Sequence, residues 1–286
     1  MKLGRAHFII IFLALVGTAA CAGLIIQGIT SSGGADISHE YGVFIGFEGK
    51  LEELTAYETI VIDAQYYDSD EIAAFKEKGH TIYSYINIGA LENFRDYYDS
   101  YKNLALGEYE HWDEEIWMDV SDPAWRYFII EELAPELADK GIDGFFVDNC
   151  DVYYQYPQED ILNGVADILS GLKDMCDTVI MNGGDVFIDA YCARGGNWKD
   201  LISGINQETV FTKIIWDEER FTGASEEDKS YFCAYLDRYG SQGADIFLLE
   251  YTDDAKLAQE IREFCLAGKY HCFISDSLEL EQTEGM

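Results

Sequence analysis

Residues 141–153 read GIDGFFVDNCDVY, and the fold is decided there. Gly141 closes a helical pattern, PAWRYFIIEELAPELADKG, in the way a C-cap glycine ends a helix. The apolar run that follows has no polar alternation, so it predicts a strand over Gly144–Asn149 buried on both faces of a parallel sheet. That strand runs out into Asp148, Asn149 and Asp151. A buried carboxylate is costly unless something pairs with it, so an apolar strand ending this way needs a reason.

Outward in both directions the pattern repeats. Strands are expected at Val43–Phe47, Thr59–Ala64, Thr81–Ile88, Gly144–Asn149, Val179–Asn182, Ile202–Gln207, Ile246–Tyr251 and His271–Ser275. Helical stretches separate them, among them SDEIAAFKEKG, QEDILNGVADILSGLKDM, SEEDKSYFCAYLDRYGSQG and DDAKLAQEIREFCLAGK, and Gly79, Gly141, Gly240 and Gly268 are expected as C-caps. Eight strands with crossover helices predict a (β/α)8 TIM barrel, the open doubly wound sheet being the other arrangement of such elements. A ninth apolar run, Ile116–Val120, is expected as a short extra strand before the fourth barrel strand.

In a barrel, side chains at the C-terminal strand ends converge on one face. The residues found there are Asp63, then Tyr85 and Asn87, then Asp148, Asn149 and Asp151, then Asn182, Glu208, and Glu250 with Tyr251. Any one acid is explained as a solvated loop residue or a helix N-cap, but the set on one face points to a site. Glycoside hydrolysis needs two carboxyl groups and neither a metal nor a histidine. Amide and phenol side chains suit sugar hydroxyls, and Trp112 and Trp117 are candidates for stacking on sugar rings, with core packing an equal prospect for Trp117.

Composition narrows the classes. The net charge is −35, from 54 acidic and 19 basic residues, which argues against nucleic acid as a partner. An acidic soluble surface explains that charge by itself, and it would also draw in a cationic ligand. The five histidines are scattered and no CxxC occurs, so no metal site, no cofactor and no histidine-based triad is expected. Of seven cysteines, six remain after Cys21, a number compatible with disulfides of unreadable pairing. Lys2 and Arg5 precede an uncharged run, Phe8–Gln27, which reads as a signal peptide or membrane anchor; cleavage near Cys21, lipid on Cys21 and retention are its alternative fates. The expected organisation is this segment at 1–27, a flexible linker at 28–40, and a catalytic domain at 41–286 acting outside the cytoplasm, secreted or tethered to the membrane, as a monomer. Rival readings are a carbohydrate-binding barrel without chemistry, a metal-dependent deacetylase lacking the usual histidines, and a structural surface protein.

YINIGALENFRDYY, WMDVSDPAWR, GIDGFFVDNCDVY, MNGG, INQET and LLEYT together resemble glycoside hydrolase family 114, the endo-α-1,4-polygalactosaminidase family, over about residues 40 to 280. The most specific element is GxDGxxxDNxDxY. The resemblance implies a (β/α)8 barrel that cleaves galactosamine-containing polysaccharide. Its catalytic Asp and Glu fall on Asp148 and Glu208; by analogy with other retaining barrels Asp148 would be the nucleophile and Glu208 the acid/base. Tyr85, Asn87, Asn149, Asn182 and Tyr251 would contact sugar, and Asp63, Asp119, Asp151 and Glu250 a substrate ammonium. Asp143 is expected to be structural. Cys150 departs from the family pattern between two site aspartates.

Overall fold

In the computed structural model, which describes residues 37–110, 112–218 and 220–281, eight parallel strands make one sheet. They are β1 (His39–Phe44), β2 (Tyr57–Ile62), β3 (Thr81–Asn87), β4 (Gly144–Asp148), β5 (Thr178–Asn182), β6 (Gly204–Glu208), β7 (Asp245–Tyr251) and β8 (His271–Ser275). Their spatial order is their order in the chain, and β1 packs beside β8, where His271 Nδ1 lies 2.8 Å from Glu40 Oε1. A doubly wound sheet would reverse its strand order at a switch point. This one closes on itself as a (β/α)8 barrel.

Every expected barrel strand is present, displaced by a few residues at most. β1 begins at His39, inside the stretch expected as linker, because the His39 ring stacks on Tyr57 of β2 with centroids 4.7 Å apart. Residues 1–36, with the expected signal or anchor segment, lie outside the described residues. Among the described residues no helix is long and apolar enough to cross a membrane. The barrel interior is filled by residues such as Val61, Phe146 and Ile180, while Ile86 and Val147 alternate to the outer face under the helices, all buried, and Trp125 packs behind β3 with its indole N–H donating to the Ile88 carbonyl at 2.8 Å.

Two insertions rise from the C-terminal ends of the strands. After β3 comes a three-stranded antiparallel sheet in the order Ala90–Glu92, Glu115–Met118, Ala105–Glu108; its central strand is the ninth apolar run. After β6 comes a hairpin, Thr212–Ile215 against Arg220–Gly223. Gly79 and Gly141 take the left-handed caps expected of them, whereas Gly240 and Gly268 are the last helical residues and the left-handed positions fall on Gly243 and Lys269. In the helical stretch from Pro123 to Asp139 the middle turn, Phe128–Leu133, is π-helical. Pro135 has no N–H to return to the Glu131 carbonyl, and a wider turn absorbs that loss. No disulfide joins the six described cysteines.

Candidate active site

The C-terminal mouth of the barrel holds a cavity of about 470 Å³. Asp148 at the end of β4, Asn182 at the end of β5 and Glu208 at the end of β6 meet at its floor. The Asn182 amide nitrogen donates to Asp148 Oδ1 at 2.9 Å and to Glu208 Oε1 at 2.7 Å. One nitrogen therefore holds both carboxyl groups, and the two oxygens facing it can be no farther apart than two hydrogen bonds laid end to end. The Asn182 carbonyl oxygen accepts from the buried Asn206 amide at 2.7 Å, which fixes the orientation of the donor. Asp148 Oδ1 also accepts from the Asn149 backbone N–H at 2.9 Å, and Glu208 Oε2 accepts from the Tyr251 hydroxyl at 2.8 Å.

Backbone conformation sets these positions. Asn149 adopts φ 64°, in the left-handed region that asparagine tolerates, and so turns the chain sharply after Asp148. Gly89 lets the chain leaving β3 pass it: a Cβ there would lie 1.8 Å from the Asn149 carbonyl oxygen. Gly183 and Gly184, both left-handed after β5, bring the Gly184 N–H to Asp151 Oδ2 at 3.1 Å. Cys150 is fully buried beneath Gly184 and does not line the cavity, so the departure at that position alters packing alone.

Burial raises the affinity of these acids for protons. It lifts Asp148 to about 7 with help from the charge on Glu208, against the Asn182 and Asn149 donors. Burial likewise lifts Asp151 to about 7, aided by Asp185, and it raises Glu208 against the donors Asn182 and Tyr251. At neutral pH the floor is thus a coupled set of carboxyl groups sharing fewer negative charges than their number.

The other expected site residues divide. Asp63, Tyr85, Asn149, Asp151, Asn182 and Tyr251 line the cavity with Asp148 and Glu208. Asp63 faces it already engaged, with Oδ2 2.6 Å from Arg95 Nη1, and Tyr85 donates to Glu92 Oε1 at 3.1 Å. Three do not line it. Asn87 sits one layer behind, accepting from the Ala90 N–H at 2.8 Å and from the Asn149 amide at 3.1 Å. Asp119 accepts from the Ser121 N–H and hydroxyl in the turn before Pro123. Glu250 faces away from the lumen because strand side chains alternate and its neighbours Leu249 and Tyr251 take the cavity side. It is fully buried and accepts from the Phe211 and Thr212 N–H groups and the Thr212 hydroxyl, pinning the hairpin to β7. These three therefore act as supports, in place of the sugar or ammonium contacts expected of them. Asp143 behaves as expected: it accepts from the Ile82 N–H and pairs with Lys76 at the opposite end of the barrel.

Several lining residues were not among those singled out in the sequence, although Glu92 and Arg95 fall within the run YINIGALENFRDYY. Glu92, Arg95, Tyr109 and Glu115 come from the inserted sheet and its flanks, and Trp216 from the turn of the hairpin. Trp112 and Trp216 meet edge to face with ring centroids 5.9 Å apart. Trp117 is buried and stacks on Tyr109, so it belongs to the packing of that sheet. Among the described residues no group of acids, cysteines and histidines is arranged to hold a metal ion.

Residues 38–275 match the profile of glycoside-hydrolase family GH114. The structure resembles the glycoside hydrolase domain of PelA from Pseudomonas aeruginosa, with TM-score 0.69 and 18% identity over 85% of this chain and 96% of that one. It also resembles Aspergillus fumigatus Ega3, solved in complex with galactosamine, with TM-score 0.66 and 16% identity over 88% and 96% of the two chains. At those identities the likeness speaks for the fold. A Thermotoga maritima protein described as uncharacterized is 25% identical over 215 residues, 66% of this chain, and this chain spans 60% of that relative's length.

Proposed function

Because the chain belongs to glycoside-hydrolase family GH114 and is a glycosidase, we propose that it cleaves α-1,4-linked galactosamine-containing polysaccharide outside the cytoplasm, with Asp148 and Glu208 as its catalytic pair and retention of anomeric configuration. The observation that carries this reading is the single Asn182 amide donating to both carboxyl groups. So short a span matches the close pair of a retaining enzyme, about 5–5.5 Å, and leaves no room for the water that an inverting pair, at about 6.5–9.5 Å, must admit. The galactosamine in the Ega3 complex and the acidity of the cavity support the substrate class. The apolar run Phe8–Gln27 supports export.

In this mechanism Asp148 attacks the anomeric carbon while Glu208 gives its proton to the leaving glycosidic oxygen. Glu208, now a carboxylate, takes a proton from water, and that water's oxygen displaces Asp148 from the anomeric carbon. Two raised carboxyl groups suit the task, since the pair must hold one proton between them at the working pH. One observation favours exchanged roles: two donors favour the charged form of Glu208, and that charge helps to hold the proton on Asp148.

Reducing-end release by the full chain, on α-1,4-galactosaminan of graded acetylation, tests the reading. Activity should be present in the parent and fall about 10³-fold or more in Asp148→Asn and Glu208→Gln; activity surviving both substitutions would reject the pair. Azide added to Asp148→Ala should give a glycosyl azide of inverted configuration. An azide product of retained configuration from that variant would exchange the two roles.

A further inference from the structure

On the wall above the floor, Glu92 and Glu115 face each other. They are direct cross-strand partners in the antiparallel ladder Ala90–Glu92 against Glu115–Met118, so both side chains stand on one face, and both line the cavity. Like charges placed opposite each other in a ladder are destabilising unless a cation or a proton intervenes. One cation is at hand: Arg95 reaches Glu92 Oε1 at 3.0 Å and Asp63 Oδ2 at 2.6 Å. Two carboxyl groups thus share one guanidinium, with the third, Glu115, beside them.

The sharing is incomplete. Glu92 is 3% exposed, yet its Oε2 has no hydrogen-bond partner among the described residues. Glu115 lies nearer the opening, and its Oε2 receives only long contacts from the Asn87 and Asn149 amides, at 3.3 and 3.4 Å. A buried acceptor left without a donor is expensive, and one beside a second acid on a cavity wall is suited to a small group that carries both positive charge and several N–H donors.

We propose that Glu92 and Glu115 seat the ammonium of a galactosamine unit, and that Glu115 releases a proton to the solvent as that ammonium docks. This rests on the galactosamine reading above and assigns its amine recognition to the inserted sheet. The groups facing Glu115 are the acids Glu92 and Asp148, the guanidinium of Arg95 and the phenols of Tyr85 and Tyr109. Burial first, then Glu92 and Asp148, lift Glu115 to about 8, so it is protonated in the empty cavity at neutral pH. An ammonium offsets those two charges and makes the carboxylate the favoured form, exchanging one proton for one cation. Neither Asp63, closed by Arg95, nor Glu250, turned to the hairpin, is free for that role.

The test is calorimetric binding of a galactosamine oligomer at about pH 7, in buffers of differing ionisation heat. The parent should release about one proton per oligomer seated, Glu115→Gln should release none, and Glu115→Asp should restore release. In parallel, Glu115→Gln should raise KM on deacetylated polymer about tenfold more than on acetylated polymer. Binding by the parent without proton release, or equal release by Glu115→Gln, would overturn the inference. Cleavage of galactosaminan with no proton release would remove the seat and leave the enzymatic reading intact. Absence of both cleavage and binding would remove the two together.

Discussion

The floor and the wall of the cavity are built differently. On the floor, Asp148, Asn182, Glu208 and Tyr251 sit at the ends of parallel strands, and the two carboxyl groups accept from donors on neighbouring strands and from the Asn149 N–H that follows β4. On the wall, Glu92, Arg95 and Glu115 sit on a three-stranded insertion, with a guanidinium split between two acids and acceptor capacity left over. The Asp148 and Glu208 carboxyl groups are satisfied within the protein, as a pair that must be held at fixed separation requires. The wall is left incomplete in the empty enzyme, as a site that must distinguish substrates requires. Rate should therefore depend on the floor, and stability and substrate choice on the wall.

Removing Arg95 should break that division most visibly. Arg95→Leu leaves Asp63 and Glu92 buried without their cation, a loss of about 3–5 kcal/mol that thermal unfolding would report. If Arg95→Leu kept the parent Tm and lost kcat instead, the wall would be part of the chemistry. Asn182→Ala is the counterpart on the floor. Hydrogen bonds to charged groups are worth about 1.5–3 kcal/mol, so kcat should fall roughly 10- to 100-fold. Because that amide opposes the rise in both acids, its removal should move the acid limb of the pH profile upward. An unmoved limb would mean that Asn182 only packs.

The smallest effect is common to both regions. Asp148, Asp151 and Glu250 stand at about 7 and Glu115 at about 8, each raised chiefly by burial. An unfolded chain releases these protons near the ordinary carboxylate range, about pH 4, while the folded chain keeps them. Their contribution to stability is complete below that range and is lost as pH rises through 7 to 8. Tm should accordingly decline from mildly acidic to mildly alkaline buffer, and the decline should be shallower in Glu115→Gln, which differential scanning calorimetry would detect. An equal slope in that variant would show Glu115 to be ordinary.

The same division decides what could be read before the structure. β4, β5 and β7 are short apolar runs ending in polar residues, and that pattern survives in a single sequence because strand burial imposes it on every residue. Asp148, Asn182, Glu208 and Tyr251 were legible as strand ends. Strand reading overreached where alternation matters: Glu250 is one residue from Tyr251, yet it faces the hairpin. That Glu92, Arg95 and Glu115 belong to the site was illegible for the opposite reason, even though the first two fall within the run YINIGALENFRDYY. They lie in a connection with no sustained period, and only the register of Glu92 against Glu115 brings the two acids together.

Trp112 and Trp216 close edge to face over the cavity, one from each insertion, while the other three tryptophans, Trp117, Trp125 and Trp198, are buried in the fold. The protein thereby carries its own optical probe. A sugar ring entering beside that pair alters the surroundings of two indoles and leaves three as a constant background, so ligand occupancy can be followed by intrinsic emission without any label.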